Sequence, residues 1–298
     1  MKLGRLGVWA GFDDLTATQG AAFARRIEQW GYSAVWMPEG FGRDVIAQSA
    51  WLLANTSSLV VASGIANIYG RDPMTMHAGQ MGLNEQSGGR FLLGLGVSHG
   101  AIVNGVRGHD YGKPVETMHK FLTAMKTVPY NAPPPPEAPQ TVIAALGPKM
   151  IALSRDEADG AHTYNVSPQH TAEARKILGP GKRLCVEQMM VLETDPARAR
   201  EAARKTLAFY FTLPNYVNNW KRMGYTDDDC ANGGSDRLID DTVAWGDEAA
   251  LAKRIEQHWE AGADHVCIQP LSATADGKSA SSSGYDEKLL AGLARLNR

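Results

Sequence analysis

Short apolar runs alternate along this chain with stretches whose apolar residues recur at helical spacing. Leu3 to Trp9 reads as a strand, and Thr16 to Trp30 as a helix carrying Ala21, Ala22, Phe23, Ile27 and Trp30 on one side until Gly31 stops it. The pattern then repeats. Ser33 to Met37 is a second strand, and Asp44 to Ala54 a second helix with Asp44 as its cap and Asn55 and Thr56 at its end. Leu59 to Ile65, LVVASGI, is apolar on both faces, as a parallel strand covered by helices requires, and Pro73 to Gln86 follows with proline in its first turn. Phe91 to Leu95 gives a fourth strand, a glycine-rich loop runs to about Gly112, and Pro114 to Lys126 gives the next helix. Pro133 to Pro136 is a stiff surface linker.

The second half continues the alternation. Thr141 to Ala145 and Gly160 to Thr163 are strands followed by helices over Lys149 to Arg155 and Pro168 to Leu178; Leu184 to Leu192 is the seventh strand. Asp195 caps a helix reaching about Phe211, and Pro214 to Trp245 is an irregular, polar and aromatic insertion. Asp247 to Ala261 is amphipathic and ends at Gly262, His265 to Gln269 is the eighth strand, and a serine-rich segment leads to a last helix from Tyr285 to Leu296. Eight strands alternating with helices predict an α/β fold, a (β/α)8 TIM barrel with an insertion after strand seven, spanning 1–298 as one domain. The rival, a doubly wound sheet, lacks its GxGxxG fingerprint, because the first strand-to-helix turn reads WAGFDDL.

Composition narrows the function classes. The chain has 298 residues, a length that suits one barrel with modest insertions, and 44% of them are apolar, enough to close a large core. A net charge of −2, with both signs mixed throughout, leaves no footprint for nucleic acid or an anionic membrane. The short apolar N-terminal run meets Asp13 and Asp14 almost at once, unlike a signal peptide, and no stretch approaches a transmembrane length. Cys185, Cys230 and Cys267 are odd in number and far apart, which indicates neither disulfides nor a zinc site and fits the reducing cytoplasm. No H-x-H follows strand one, so a metal-dependent hydrolase has no support and no metal is expected.

A barrel carries its chemistry at the C-terminal ends of its strands. There, GRFLLGLGVSHG brings glycines that let backbone N–H groups approach a ligand, or that simply turn a tight corner. After strand five, ALGPKM opens a helix with Gly147, Pro148 and Lys149, where free N–H groups and the dipole favour a phosphate; an ordinary proline-started helix fits equally well.

Taken in order, LGVWAGF, VWMPEGFGRD, SGIANIYGRDP, GGRFLLGLGVSHG and IAALGPKMIALSRDEADG resemble the luciferase-like monooxygenase superfamily, and within it the F420-dependent oxidoreductase branch. The resemblance covers almost the whole chain. It implies a non-prolyl cis peptide bond between Gly64 and Ile65, in a strand-three bulge beneath the cofactor ring, with Asn67 facing the polar edge of that ring. It also implies a cofactor cradle of Gly96, Val97, Ser98, His99, Leu146, Gly147, Pro148, Lys149 and Asn165. His99 is the titratable group best suited to proton transfer beside the ring, or is a plain polar contact, as a loop histidine more often is. Where the family commonly has an Asp-His pair after strand two, this chain has Pro38, Glu39 and Gly40, so the histidine is missing and Glu39 stands as acid, base or cofactor contact, or as a paired carboxylate. The insertion, with Tyr216, Trp220 and Tyr225, suits a lid, a dimer contact or plain packing.

The resemblance thus implies an enzyme, a coenzyme F420-dependent oxidoreductase transferring hydride to or from a small organic substrate, in a homodimer. Two alternatives stand beside it: an FMN-dependent two-component monooxygenase, and a noncatalytic flavin- or F420-binding barrel.

Overall fold

In a computed structural model, residues 1–274 and 283–297 are described, so most of the expected serine-rich segment, 275–282, lies outside the described residues. The strands are β1 (Leu6–Trp9), β2 (Ala34–Met37), β3 (Val60–Ser63), β4 (Ala66–Asn67), β5 (Phe91–Gly96), β6 (Thr141–Ala144), β7 (Gly160–Thr163), β8 (Arg183–Leu192), β9 (Ala244–Gly246) and β10 (His265–Leu271). Eight of them, in the order β10, β1, β2, β3, β5, β6, β7, β8, form a parallel sheet that closes through β10–β8 pairing from His265 opposite Cys185 to Leu271 opposite Val191. The fold is a TIM barrel, as the alternating pattern predicts. The two short strands lie off the ring: β4 pairs with β5, and β9 with the far end of β8.

The helices are α1 (Ala17–Gln29), α2 (Val45–Ala54), α3 (Pro73–Ser87), α4 (Gly100–Gly105), α5 (Pro114–Thr127), α6 (Pro148–Glu157), α7 (Pro168–Leu178), α8 (Pro196–Leu207), α9 (Pro214–Arg222), α10 (Asp227–Cys230), α11 (Asp236–Thr242), α12 (Glu248–Glu260) and α13 (Glu287–Leu293). Their starts follow local chemistry. The hydroxyl of Thr16 and the carboxylates of Asp44, Asp72, Asp195 and Asp247 each accept from a first-turn N–H, which supplies a partner to donors that the helix itself leaves open.

Three expectations are corrected. The helix after Asp195 ends at Leu207, not near Phe211, and one 3-10 turn (Tyr210–Thr212) follows it. The glycine-rich loop after β5 contains α4. The insertion is not irregular: α9, α10 and α11 fill it, because Leu213, Tyr216, Trp220 and Leu238 bury a small core of their own beside the barrel mouth.

Side chains alternate across the barrel wall. Outward residues such as Val8, Val35, Val61, Leu93, Ile143 and Ile268 join the helices in the main core, while Trp9, Ala34, Trp36, Leu92, Cys185 and Cys267 fill the interior. The interior also carries polar groups. Trp36 Nε1 donates to His265 Nε2 at 3.0 Å, His265 Nδ1 donates to Gly4 O at 2.6 Å, and His162 stacks on Trp36 with ring centres 4.5 Å apart. All three cysteines are free thiols. Among the described residues, no helix is long and apolar enough to cross a membrane.

Candidate active site

A cavity of about 970 Å³ opens at the C-terminal mouth of the barrel. Its floor comes from three strand ends: Trp9 at the end of β1, Gly64 after β3 and His162 on β7. Past Ser63 the chain passes through a cis Gly64–Ile65 bond and regains its pairing as β4, with Ala66 opposite Leu95 and Asn67 opposite Gly96. Trp9 Nε1 donates to the Gly64 carbonyl at 3.3 Å.

The opposing strand is shaped to receive this bulge. A Cβ on Gly94 would lie 2.0 Å from the Ser63 carbonyl oxygen, and one on Gly96 would lie 2.4 Å from Ile65 Cγ1. Ser63 Oγ locks the contact, donating to Gly94 O at 2.9 Å and accepting from Gly94 N at 2.8 Å. Gly94 is therefore glycine to make room for protein, and of the two only Gly96 also borders the cavity.

Glu39 lies on the cavity rim, but its carboxylate is spoken for. Arg71 Nη1 donates to Oε2 at 2.9 Å, Arg71 Nη2 donates to Oε1, and the N–H groups of Asn67 and Val45 donate at 2.8 and 3.5 Å. Its own N–H donates to the Ile65 carbonyl at 3.2 Å. Four donors fill the lone pairs of one carboxylate. The geometry thus makes Glu39 the clamp that ties the loop after β2 to the bulge, in place of the acid or base considered from the sequence.

His99 fits its expected place better. It precedes α4 without capping it, its ring packs against Phe209 and Tyr216 at 6.2 and 6.0 Å, and its Nδ1 has no partner. Burial lowers its pKa more than its hydrogen bond with Asn215 raises it, so the ring is neutral near pH 7, with one nitrogen free to take or give a hydrogen bond. On the far side, α6 starts at Gly147 with no side-chain cap and proline next. Nothing lies within 4 Å of where a Gly147 Cβ would sit, so this helix start is open. His170 Nε2 and Arg222 Nη2 donate to the Leu146 carbonyl at 2.9 and 3.0 Å and fix the loop before it.

Gly64, Ile65, Gly96, Val97, Ser98, His99, Leu146, Gly147, Pro148 and Lys149 all border the cavity, as does Glu39. Asn67 and Asn165 do not. Asn67 Oδ1 accepts from the Tyr69 N–H at 2.9 Å, so its amide serves a turn. Asn165 has left-handed backbone at φ 57°, and its N–H donates to Glu187 Oε2 at 3.2 Å from beneath the wall.

The sequence reading named Tyr216 in a lid or packing role but missed its aromatic neighbours at the mouth. Tyr164 after β7, Phe209 and Tyr210 beyond α8, and Tyr216 on α9 pack ring to ring from 4.9 to 6.3 Å. Arg222 on α9 adds a cation at the rim. For Tyr164 the available signal was its place just past a strand end. Below lies Glu187, fully buried on β8, its pKa pushed up to about 8 by burial and only partly lowered by the Asn165 N–H; burial also takes His162 down to about 4. Burial thus works against charge on both groups.

Fold and site together describe a barrel whose ligand lies across the strand ends, the usual place for chemistry in this architecture. The family model described as luciferase-like monooxygenase matches residues 4–265, and the chain belongs to that family. It is 25% identical over 324 aligned positions to a putative coenzyme F420-dependent oxidoreductase of Mycobacterium tuberculosis, covering 88% of this chain and 92% of the relative. Its fold matches the coenzyme F420-dependent tetrahydromethanopterin reductase of Methanopyrus kandleri with a TM-score of 0.77 at 16% identity, over 99% of this chain and 98% of that one. It also matches the EDTA monooxygenase of Chelativorans sp. BNC1 with a TM-score of 0.74 at 12% identity, over 99% and 93%. By name, these relatives are oxidoreductases and a monooxygenase.

Proposed function

We propose that this protein is a coenzyme F420-dependent oxidoreductase that exchanges hydride with a small organic substrate in the cavity at the barrel mouth. The observation that carries this reading is the pairing of a floor of Trp9, Gly64, Ile65 and His162 with an open helix start in one cavity, in a chain whose full-length relative is named for F420. A planar, redox-active ring needs a flat, dry bed, which Trp9, Gly64, Ile65 and His162 supply. A phosphate needs donors without a competing side chain, which the start of α6 supplies, with Lys149 and Arg222 on the same cavity. The buried His162 Nε2 and His99 Nδ1 lack partners, as expected of groups awaiting a ligand.

When bound, the deazaflavin would supply the hydride. The chain's own residues orient and shield. The Glu39–Arg71 clamp holds the bulge, the aromatic side excludes water, and the neutral His99 ring is suited to pass a proton across the rim.

Titration of the purified chain against F420 and FMN in parallel, read by the fluorescence of each chromophore, tests the reading. Micromolar or tighter F420 binding with weak FMN binding supports it. Preference for FMN moves the protein to two-component monooxygenation, and binding of neither sinks the cofactor assignment.

A further inference from the structure

The aromatic side of the mouth carries a hydrogen-bonded chain of three side chains. Tyr164 Oη donates to Gln269 Oε1 at 2.8 Å, so across the 2.9 Å contact between the two phenols it is Tyr210 that donates to Tyr164. Both phenol protons are thus spent inside the protein while their oxygens keep lone pairs. Both tyrosines border the cavity. Turning the Gln269 amide over reverses the chain: the amide donates to Tyr164, Tyr164 donates to Tyr210, and the Tyr210 proton becomes free for an acceptor. One arrangement suits a hydroxyl group and the other a carbonyl oxygen. The rings beside the chain, Trp9, Phe209 and Tyr216, are aromatic, burial lifts the pKa of the Glu187 beneath to about 8, and the cavity's Arg222 is paired with Glu173, so the chain itself offers hydrogen bonds rather than charge to a substrate.

We propose that Tyr164 and Tyr210, backed by Gln269, hold the single oxygen of an uncharged, largely apolar alcohol or of the carbonyl compound it becomes on giving a hydride to the deazaflavin and its hydroxyl proton to the neutral His99 ring, an assignment that rests on the hydride-transfer reading above. The reversible chain explains why two tyrosines and a glutamine, none with a charge of its own, are grouped at one end of an otherwise aromatic wall. It also sets a substrate class: one hydrogen-bonding oxygen on an apolar body, held at the two phenols without an ion pair.

Binding can be measured without turnover. Benzyl alcohol, benzaldehyde, toluene and benzoate serve as probes of matched size in calorimetric titrations of the full chain, with and without F420. Alcohol and aldehyde are expected to bind about three- to tenfold more tightly than toluene, and benzoate no better than toluene. Tyr210→Phe is expected to abolish that preference while leaving toluene affinity unchanged. Tyr164→Phe, which removes one holding oxygen and the partner of the Tyr210 hydroxyl, should reduce the preference, and thermal melts of both variants check that they fold. Equal binding of all the probes to the native chain, or a preference that survives both substitutions, overturns the proposal. An intact preference in a chain that binds neither F420 nor FMN would sink the cofactor reading alone.

Discussion

At the scale of single residues, glycines that look alike in the sequence do different work. Gly94 faces the Ser63 carbonyl at a distance that no Cβ tolerates, whereas Gly147 faces open space. Gly94→Ala must push backbone against backbone and is expected to cost about 3 kcal/mol or more, on the scale of overpacked cores. Gly147→Ala needs no displacement and should cost less than about 1 kcal/mol. Chemical denaturation of the two variants checks the contrast, and equal costs would mean that the bulge is not packed as described. Much of the site was legible at this scale: Gly64, Gly96, His99 and Gly147 sit at strand ends where the barrel puts its ligand. Glu39 was legible as an acidic residue but not as a clamp, because its partner Arg71 is 32 positions away and nothing in the spacing joins them. Asn67 lies off the cavity because its amide satisfies the nearby Tyr69 N–H, and Asn165 because its left-handed backbone buries its amide away from the mouth, neither of which spacing reveals.

At the scale of elements, strands and long helices follow the apolar pattern, and the departures cluster after β5 and β8. The short α4, GAIVNG, carries two glycines and no capping side chain, so no local signal marks it. Helix α9 begins with Pro214 and sets Tyr216 and Trp220 four apart, a helical spacing masked by asparagines and basic residues. Its stability comes from packing rather than propensity. Trp220 is almost fully buried, lies 4.9 Å ring to ring from Phe211, and donates to the Asn165 carbonyl at 3.4 Å. Trp220→Ala is therefore expected to remove about 3 kcal/mol or more from this one unit and to raise amide exchange across α9 by roughly a hundredfold. Peptides from β1, β2 and β3 should keep their protection. Exchange that quickens everywhere would show instead that the insertion and the barrel open as one unit, and that the aromatic side of the mouth cannot yield independently of the floor.

At the scale of the whole molecule, buried titratable groups of opposite habit set one pH of greatest stability. His162, His258 and His265 are held by burial at about 4, 3 and 4, below the ordinary 6.5. As pH falls below 6.5 the unfolded chain takes up protons that these rings refuse, so each histidine removes about 1.4 kcal/mol of stability per pH unit until its folded value is reached. Glu187 works in the other direction. Burial lifts it from 4.5 to about 8, so between those values the folded chain keeps a proton that the unfolded chain has lost, and stability falls as pH rises. From 4.5 to 6.5 three histidines outweigh one glutamate, and from 6.5 to 8 the glutamate acts without them. Stability should therefore peak near pH 6.5 and then decline by about 1.4 kcal/mol per unit toward pH 8. Glu187→Gln keeps the shape, cannot ionise, and is expected to flatten that decline while leaving the acid limb in place. Urea unfolding of both chains from pH 5 to 9 decides the matter. A native chain already flat above pH 6.5 would mean that Glu187 is ionised in the fold, and a charge under Tyr164 and Tyr210 would demand a cationic occupant in place of the neutral one argued above.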